Sequence, residues 1–124
     1  MHGSRLPKRL RISQVQLIQA LFKSTFIGKS SSVCVRVSYT GLSIGRVLVT
    51  VPKRVGSAVV RNRVKRRLRA AWCKLKRTVG YDYALIGNFK TSVIGFSQLL
   101  QELANAVDIA LRQAQASLLS AGDV

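Results

Sequence analysis

Val55-Gly56-Ser57-Ala58-Val59-Val60-Arg61-Asn62-Arg63-Val64-Lys65-Arg66-Arg67-Leu68-Arg69 is the stretch around which the rest of the chain is organised. Ser57 is a good N-cap, because its side-chain oxygen can accept from a backbone N–H that the first helical turn leaves unpaired. Val60, Val64, Leu68, Ala71 and Leu75 follow at spacings of three and four, with Trp72 on the flank. That spacing predicts a helix with one apolar stripe turned to a core. The remaining circumference is basic. Arg61 and Lys65 line one shoulder of the stripe, Arg63 and Arg67 the other, and Asn62, Arg66 and Arg69 project away from it. Arg61 with Lys65, and Lys65 with Arg69, are like-charge pairs at i,i+4 that work against the helix. An ordinary solvated face interleaves the two signs, whereas this stretch holds no Asp or Glu. A polyanion is the natural counterpart of such a surface.

The whole chain shares the imbalance. Its 124 residues are one domain's worth, with a net charge of +17 and enough apolar content for a modest core. All four acids (Asp82, Glu102, Asp108, Asp123) lie after residue 81, where the basic residues are only Lys90 and Arg112 of 21. A binding region therefore precedes a nearly neutral packing segment. A membrane-surface helix would also be basic and amphipathic, but it would crowd Trp, Phe and Leu onto its apolar side; this stripe is mostly Val, Leu and Ala. No apolar run reaches the ~18 residues of a membrane span, and the basic N-terminus lacks the apolar region of a signal peptide. A cytoplasmic protein without a membrane partner is expected. Cys34, Cys73 and the single His2 make no metal-ligand set, so free thiols and no metal bound by the protein are expected.

In chain order, residues 1–12 form a basic arm carrying Arg5, Lys8, Arg9 and Arg11, expected to be irregular. Val15, Leu17, Ile18, Leu21 and Phe22 have helical spacing and predict a helix over 13–24. Gly28 and Ser30-Ser31-Ser32 predict a turn. Strands follow at 33–40 and 44–51, joined by a hairpin-like Thr40-Gly41-Leu42-Ser43, and Pro52 ends the second ladder, with room there for one more short strand. The basic helix is expected to run to about Arg77. Tyr81–Gly87 reads as a buried strand reached by a crossover. Ser97 is a candidate N-cap for a last amphipathic helix to about 118, leaving 119–124 as a frayed tail. The order α-β-β-α-β-α predicts a single α+β domain over 13–118, with helices packed on a small mixed sheet.

Lys53-Arg54-Val55-Gly56-Ser57-Ala58-Val59-Val60-Arg61-Asn62-Arg63, continued through Arg69, resembles the signature of the protein subunit of bacterial ribonuclease P. The match is ungapped and includes Gly56, Ala58 and Asn62, which charge alone would not select. The resemblance implies the same element order with a left-handed crossover through the basic helix, where the residue pattern alone favours a right-handed one. It implies that Lys53, Arg54, Arg61, Asn62, Arg63, Lys65, Arg66, Arg67 and Arg69 bind the catalytic RNA subunit. It also implies a cleft for the single-stranded 5′ leader of precursor tRNA. Phe22 stands at the family's aromatic position on the first helix, and Ile18 stands where a second aromatic is usual. Arg36 and Arg46, which interrupt apolar strands, and Tyr39 are assigned to the same cleft.

The chemistry agrees with a supporting role. Phosphodiester hydrolysis by protein groups calls for a His pair, a carboxylate-bound metal or an activated nucleophile. The only His is His2, and the four acids show no spacing that would hold Mg²⁺. Phosphate-binding groups, by contrast, are plentiful. The resemblance places cleavage and Mg²⁺ with the RNA subunit and leaves no catalytic residue on this chain. A structural RNA-binding protein of ribosomal type is the alternative, and charge and composition do not separate the two.

Overall fold

The computed structural model describes residues 7–76 and 78–122. Four strands form one mixed sheet: β1 Phe26–Lys29, β2 Val33–Tyr39, β3 Arg46–Thr50 and β4 Tyr81–Gly87, in the spatial order β1-β2-β4-β3. The helices are α1 Val15–Lys23, α2 Ala58–Lys74, α3 Phe89–Val93 and α4 Phe96–Gly122. The α+β class and the crossover from β3 through α2 to a parallel β4 follow the sequence reading.

The inner strands are β2 and β4, and β4 joins the two halves of the sheet. Strand β4 pairs antiparallel with β2 (Val35 opposite Leu85) and parallel with β3 (Val47 opposite Tyr83). All its residues except Ile86 are buried, as a strand covered on both faces requires. The expected hairpin between β2 and β3 is therefore absent: β4 lies between them, and Thr40–Ser43 belongs to a longer connection. Thr40 and Gly41 there donate their N–H groups to the Gly80 carbonyl at 2.8 and 3.1 Å.

Alternation divides the sheet into two faces. Val33, Val35, Val37, Val47, Tyr81, Tyr83 and Leu85 join Val64, Leu68 and Trp72 of α2 and Leu99, Leu103 and Ala106 of α4 in the main core. Trp72 is wholly inside, tilted against Tyr83 with ring centroids 4.7 Å apart. Cys73 also packs against this core. On the opposite face α1 buries Leu21 with Ala84 and Ile12, flanked by Leu17, Ile18 and Leu48.

Several boundaries differ from the sequence reading. Gly28 lies inside β1, because α4 crosses so closely that a Cβ there would stand 1.8 Å from the Ala106 carbonyl oxygen. Residues 8–12 are placed rather than irregular: a 3₁₀ turn at Lys8–Leu10 leads to a bridge between Arg11 and Val47, and Ile12 is buried. This run covers the outer side of β3, which would otherwise be an open sheet edge. Pro52 opens a 3₁₀ turn at Lys53–Val55, not a strand. Asn88 caps α3 in a reciprocal box with Thr91. Ser97 lies within the first turn of α4, whose Leu99 N–H bonds to the Gly95 carbonyl. The helix continues through Gly122 rather than ending at 118. Residues 1–6, Arg77, Asp123 and Val124 lie outside the described residues, and with them His2, Arg5 and part of the expected tail.

Candidate nucleic-acid interface

Helix α2 begins where the sequence places it, with the Ser57 hydroxyl accepting from the Val60 N–H at 3.3 Å. Such a cap contributes about 1 kcal/mol. Gly56 is extended rather than left-handed, and its requirement is room: a Cβ would lie 3.2 Å from Val60. The helix ends at Lys74, three residues short of Arg77, with the Leu75 N–H on the Trp72 carbonyl. Val64, Leu68, Ala71 and Trp72 are its buried residues. Its position is fixed by close approach to β4, since a Cβ on Gly87 would stand 2.4 Å from a Val64 methyl.

The opposite surface is cationic and without carboxylate partners. Among the described residues the ion pairs are Arg46–Asp82 and Arg112–Asp108, neither on α2. Asn62, Arg63 and Arg66 are exposed, and Arg61, Lys65, Arg67 and Arg69 are half-buried. Two of these cations are engaged by the fold. Arg61 donates through Nε to the Gly56 carbonyl at 3.2 Å. Arg67 reaches across to α3 and donates to the carbonyls of Thr91 at 2.9 Å and Ile94 at 2.6 Å. Arg67 thus ties α2 to the α3–α4 connection, a role that charge patterning could not reveal. Lys53 and Arg54 are exposed on the 3₁₀ turn before α2. Arg54 joins Lys29, Cys34 and Asn88 around a depression of about 240 Å³ beside the ends of β3 and β4.

The residues assigned to a second surface do not all converge. Phe22, 40% exposed, lies in the last turn of α1 beside Arg36, whose Nη1 donates to the Ser24 carbonyl at 2.8 Å and the Phe22 carbonyl at 3.3 Å. Arg36 shares this sheet face with Arg46, but Arg46 is held by Asp82. Tyr39 is on the other face: it has the parity of Val35 and Val37, and its ring meets Tyr81 edge-on at 5.6 Å. Of the four residues assigned there, Phe22 and Arg36 therefore stand together, Arg46 is half of an ion pair on the same sheet face, and Tyr39 is on the opposite face.

Sequence reading missed Phe96. It stands at the first position of α4 and, with Ala70, floors an open depression of about 570 Å³ whose rim is Arg63, Arg66, Arg67 and Arg69. A second depression on the far side of Arg66 and Arg69 is lined by Val59, Asn62 and Lys65. Arg66 and Arg69 form the ridge between the two.

The chain is similar to known proteins in sequence and in fold. The family described as Ribonuclease P matches residues 6–111. The ribonuclease P protein component of Paramagnetospirillum magneticum is 43% identical over 65 residues, covering 50% of this chain and 49% of that protein. That of Citrifermentans bemidjiense is 42% identical over 62 residues, covering 49% and 53%. The chain thus spans about half the length of the curated relatives it matches. The solved RNase P protein of Staphylococcus aureus superposes with a TM-score of 0.70 at 21% identity, over 82% of this chain and 94% of that one. The Thermotoga maritima protein gives 0.68 at 23% identity, over 77% and 92%. At those identities the likeness is one of fold. With the family match extending over most of its length, the chain belongs to the ribonuclease P protein family.

Proposed function

We propose that this chain is the protein subunit of a ribonuclease P ribonucleoprotein, assisting 5′-end maturation of precursor tRNA in the cytoplasm. The observation that carries the proposal is the α2 surface: a row of Arg and Lys with no carboxylate partner among the described residues, interrupted by an exposed Asn62. That surface suits phosphates and 2′-hydroxyls of structured RNA. Asn62 adds an amide that both donates and accepts. Lys53 and Arg54 extend the surface from the preceding turn. The catalytic RNA supplies the cleavage chemistry and holds Mg²⁺. On the protein side, no three His, Cys, Asp or Glu side chains converge among the described residues. No described helix is long and apolar enough to cross a membrane.

The single-stranded 5′ leader is assigned to the α1 face, where Phe22 is exposed enough to stack on a base and Arg36 lies beside it. Phe22→Ala is expected to weaken binding of leader-bearing precursor by roughly 1–3 kcal/mol, with mature tRNA little affected. Equal losses for both substrates would place the leader elsewhere. The decisive experiment is reconstitution: adding the chain to a bacterial ribonuclease P RNA should restore precursor cleavage at low Mg²⁺. Tight RNA binding without restored cleavage would favour the structural RNA-binding reading.

A further inference from the structure

We propose that the depression between α2 and the start of α4 is a pocket for one unstacked nucleotide of the RNA that α2 binds. The proposal rests on the RNA-binding reading of α2 and adds a specific ligand to it. Duplex RNA can be held by a convex cationic surface alone, because its phosphates lie outermost. Here the cations instead surround a concavity with an apolar floor. Its volume of about 570 Å³ lies within the ~300–1,000 Å³ of small-molecule pockets. Arg63, Arg66 and Arg69 stand at the rim with no carboxylate to neutralise them, and Phe96 and Ala70 supply the floor. A nucleotide turned out of its stack carries the matching pair of groups: a phosphate for an Arg fork and a planar base for an aromatic ring or guanidinium plane.

The fold holds this pocket in shape. Arg67 donates to the Thr91 and Ile94 carbonyls, which fixes the short α3–α4 connection beside α2. Phe96 follows two residues after Ile94 and is half-buried, its inner side packed against the main core. The ring is thus anchored rather than free to collapse onto α2. The lining side chains are donors or apolar groups, with no acceptor among them. The pocket is therefore suited to the acceptor-bearing edges of guanine (O6, N7) or uracil (O4) more than to the amino group of cytosine.

The test compares Phe96→Leu and Phe96→Tyr in the full chain, binding a bacterial ribonuclease P RNA at several salt concentrations. Both variants retain an apolar anchor in the core, so melting temperature serves as the control for folding. Phe96→Leu is expected to weaken binding ~5-fold or more with an unchanged salt slope. Phe96→Tyr should bind like the parent. A photo-crosslinker at position 96 should label a single unpaired nucleotide. Equal affinities of the Leu and Tyr variants, or crosslinks only to paired nucleotides, would overturn the pocket. Lys65→Ala/Arg66→Ala separates the two levels. If that variant loses salt dependence while Phe96→Leu is silent, α2 binds RNA and the pocket is wrong. If neither changes binding, the reading of α2 has failed as well.

Discussion

Arg46 and Asp82 face each other across the β3–β4 ladder and close a two-pronged ion pair, Nε to Oδ1 at 2.8 Å and Nη2 to Oδ2 at 2.9 Å. The Asp82 side chain is 5% exposed and that of Arg46 20%. The pair explains why an Arg can sit in an otherwise apolar strand without serving a ligand.

Removing one partner leaves the other charge buried and alone, which costs about 3–5 kcal/mol. Arg46→Ala is therefore expected to lower the urea midpoint strongly. Arg46→Met/Asp82→Leu should recover most of the loss, because neither charge is then stranded. Wild-type stability in the single variant would refute the pairing.

Arg66 and Arg67 are adjacent in sequence and expected to differ in effect. Arg66 is exposed, whereas Arg67 bonds two carbonyls of the α3–α4 connection. Arg66→Ala should leave the melting temperature unchanged and reduce the slope of log affinity against log salt by about 0.7–0.9 for the lost phosphate contact. Arg67→Ala should lower stability by about 1.5–3 kcal/mol, the range for hydrogen bonds from a charged donor. Thermal melts and salt titrations of the two proteins decide it.

Gly28→Ala tests how tightly α4 lies on β1. The added Cβ meets backbone, the Ala106 carbonyl oxygen and carbon at 1.8 and 2.8 Å, and no rotamer change can relieve that. A loss of at least the ~1–3 kcal/mol typical of overpacking is expected. A melting temperature matching the parent's would show that α4 slides freely over the strand.

Glu102 fastens α4 to the turn between β1 and β2. It accepts from the Ser32 hydroxyl at 2.6 Å and N–H at 3.1 Å, from the Ser31 hydroxyl at 2.9 Å and from Gln98 at 2.8 Å. The Ser32 hydroxyl bond and then that of Gln98 hold its carboxyl below the ordinary value of 4.5. A folded-state value below the unfolded one gives stability that is full above pH 4.5 and disappears as pH falls through the lower value. Acid titration of wild type and Glu102→Gln should differ in that window, the variant showing the shallower loss. Superimposable acid limbs would mean that the clasp contributes nothing.

Helix α2 was legible because cap, stripe and charge all point to one answer, and Tyr81–Gly87 because a run of apolar residues bounded by glycines reads as a buried strand. Strand β1 was not. Phe26-Ile27-Gly28-Lys29 is four residues long with a glycine inside, and what makes it a strand is the β2 edge and the α4 backbone above it. The Asn88–Thr91 box was hidden for a similar reason, since it closes a helix of only five residues. Tyr39 could have been placed by alternation with Val35 and Val37, and it was misassigned by its aromatic character. Arg67 could not have been separated from its neighbours. Sequence gives a cation's place on a helix, but not the distant carbonyls it meets.

Strand β4, which joins β2 to β3, is the last of the four to be synthesised. Until Tyr81–Gly87 exists, β2 has only β1 beside it, and β3 has no strand partner. The cationic α2 segment therefore emerges from the ribosome before the sheet that will hold it can close. Pairings between such distant residues are slow to form. During that interval the chain is a polycation beside a very large RNA, with its valines still in water.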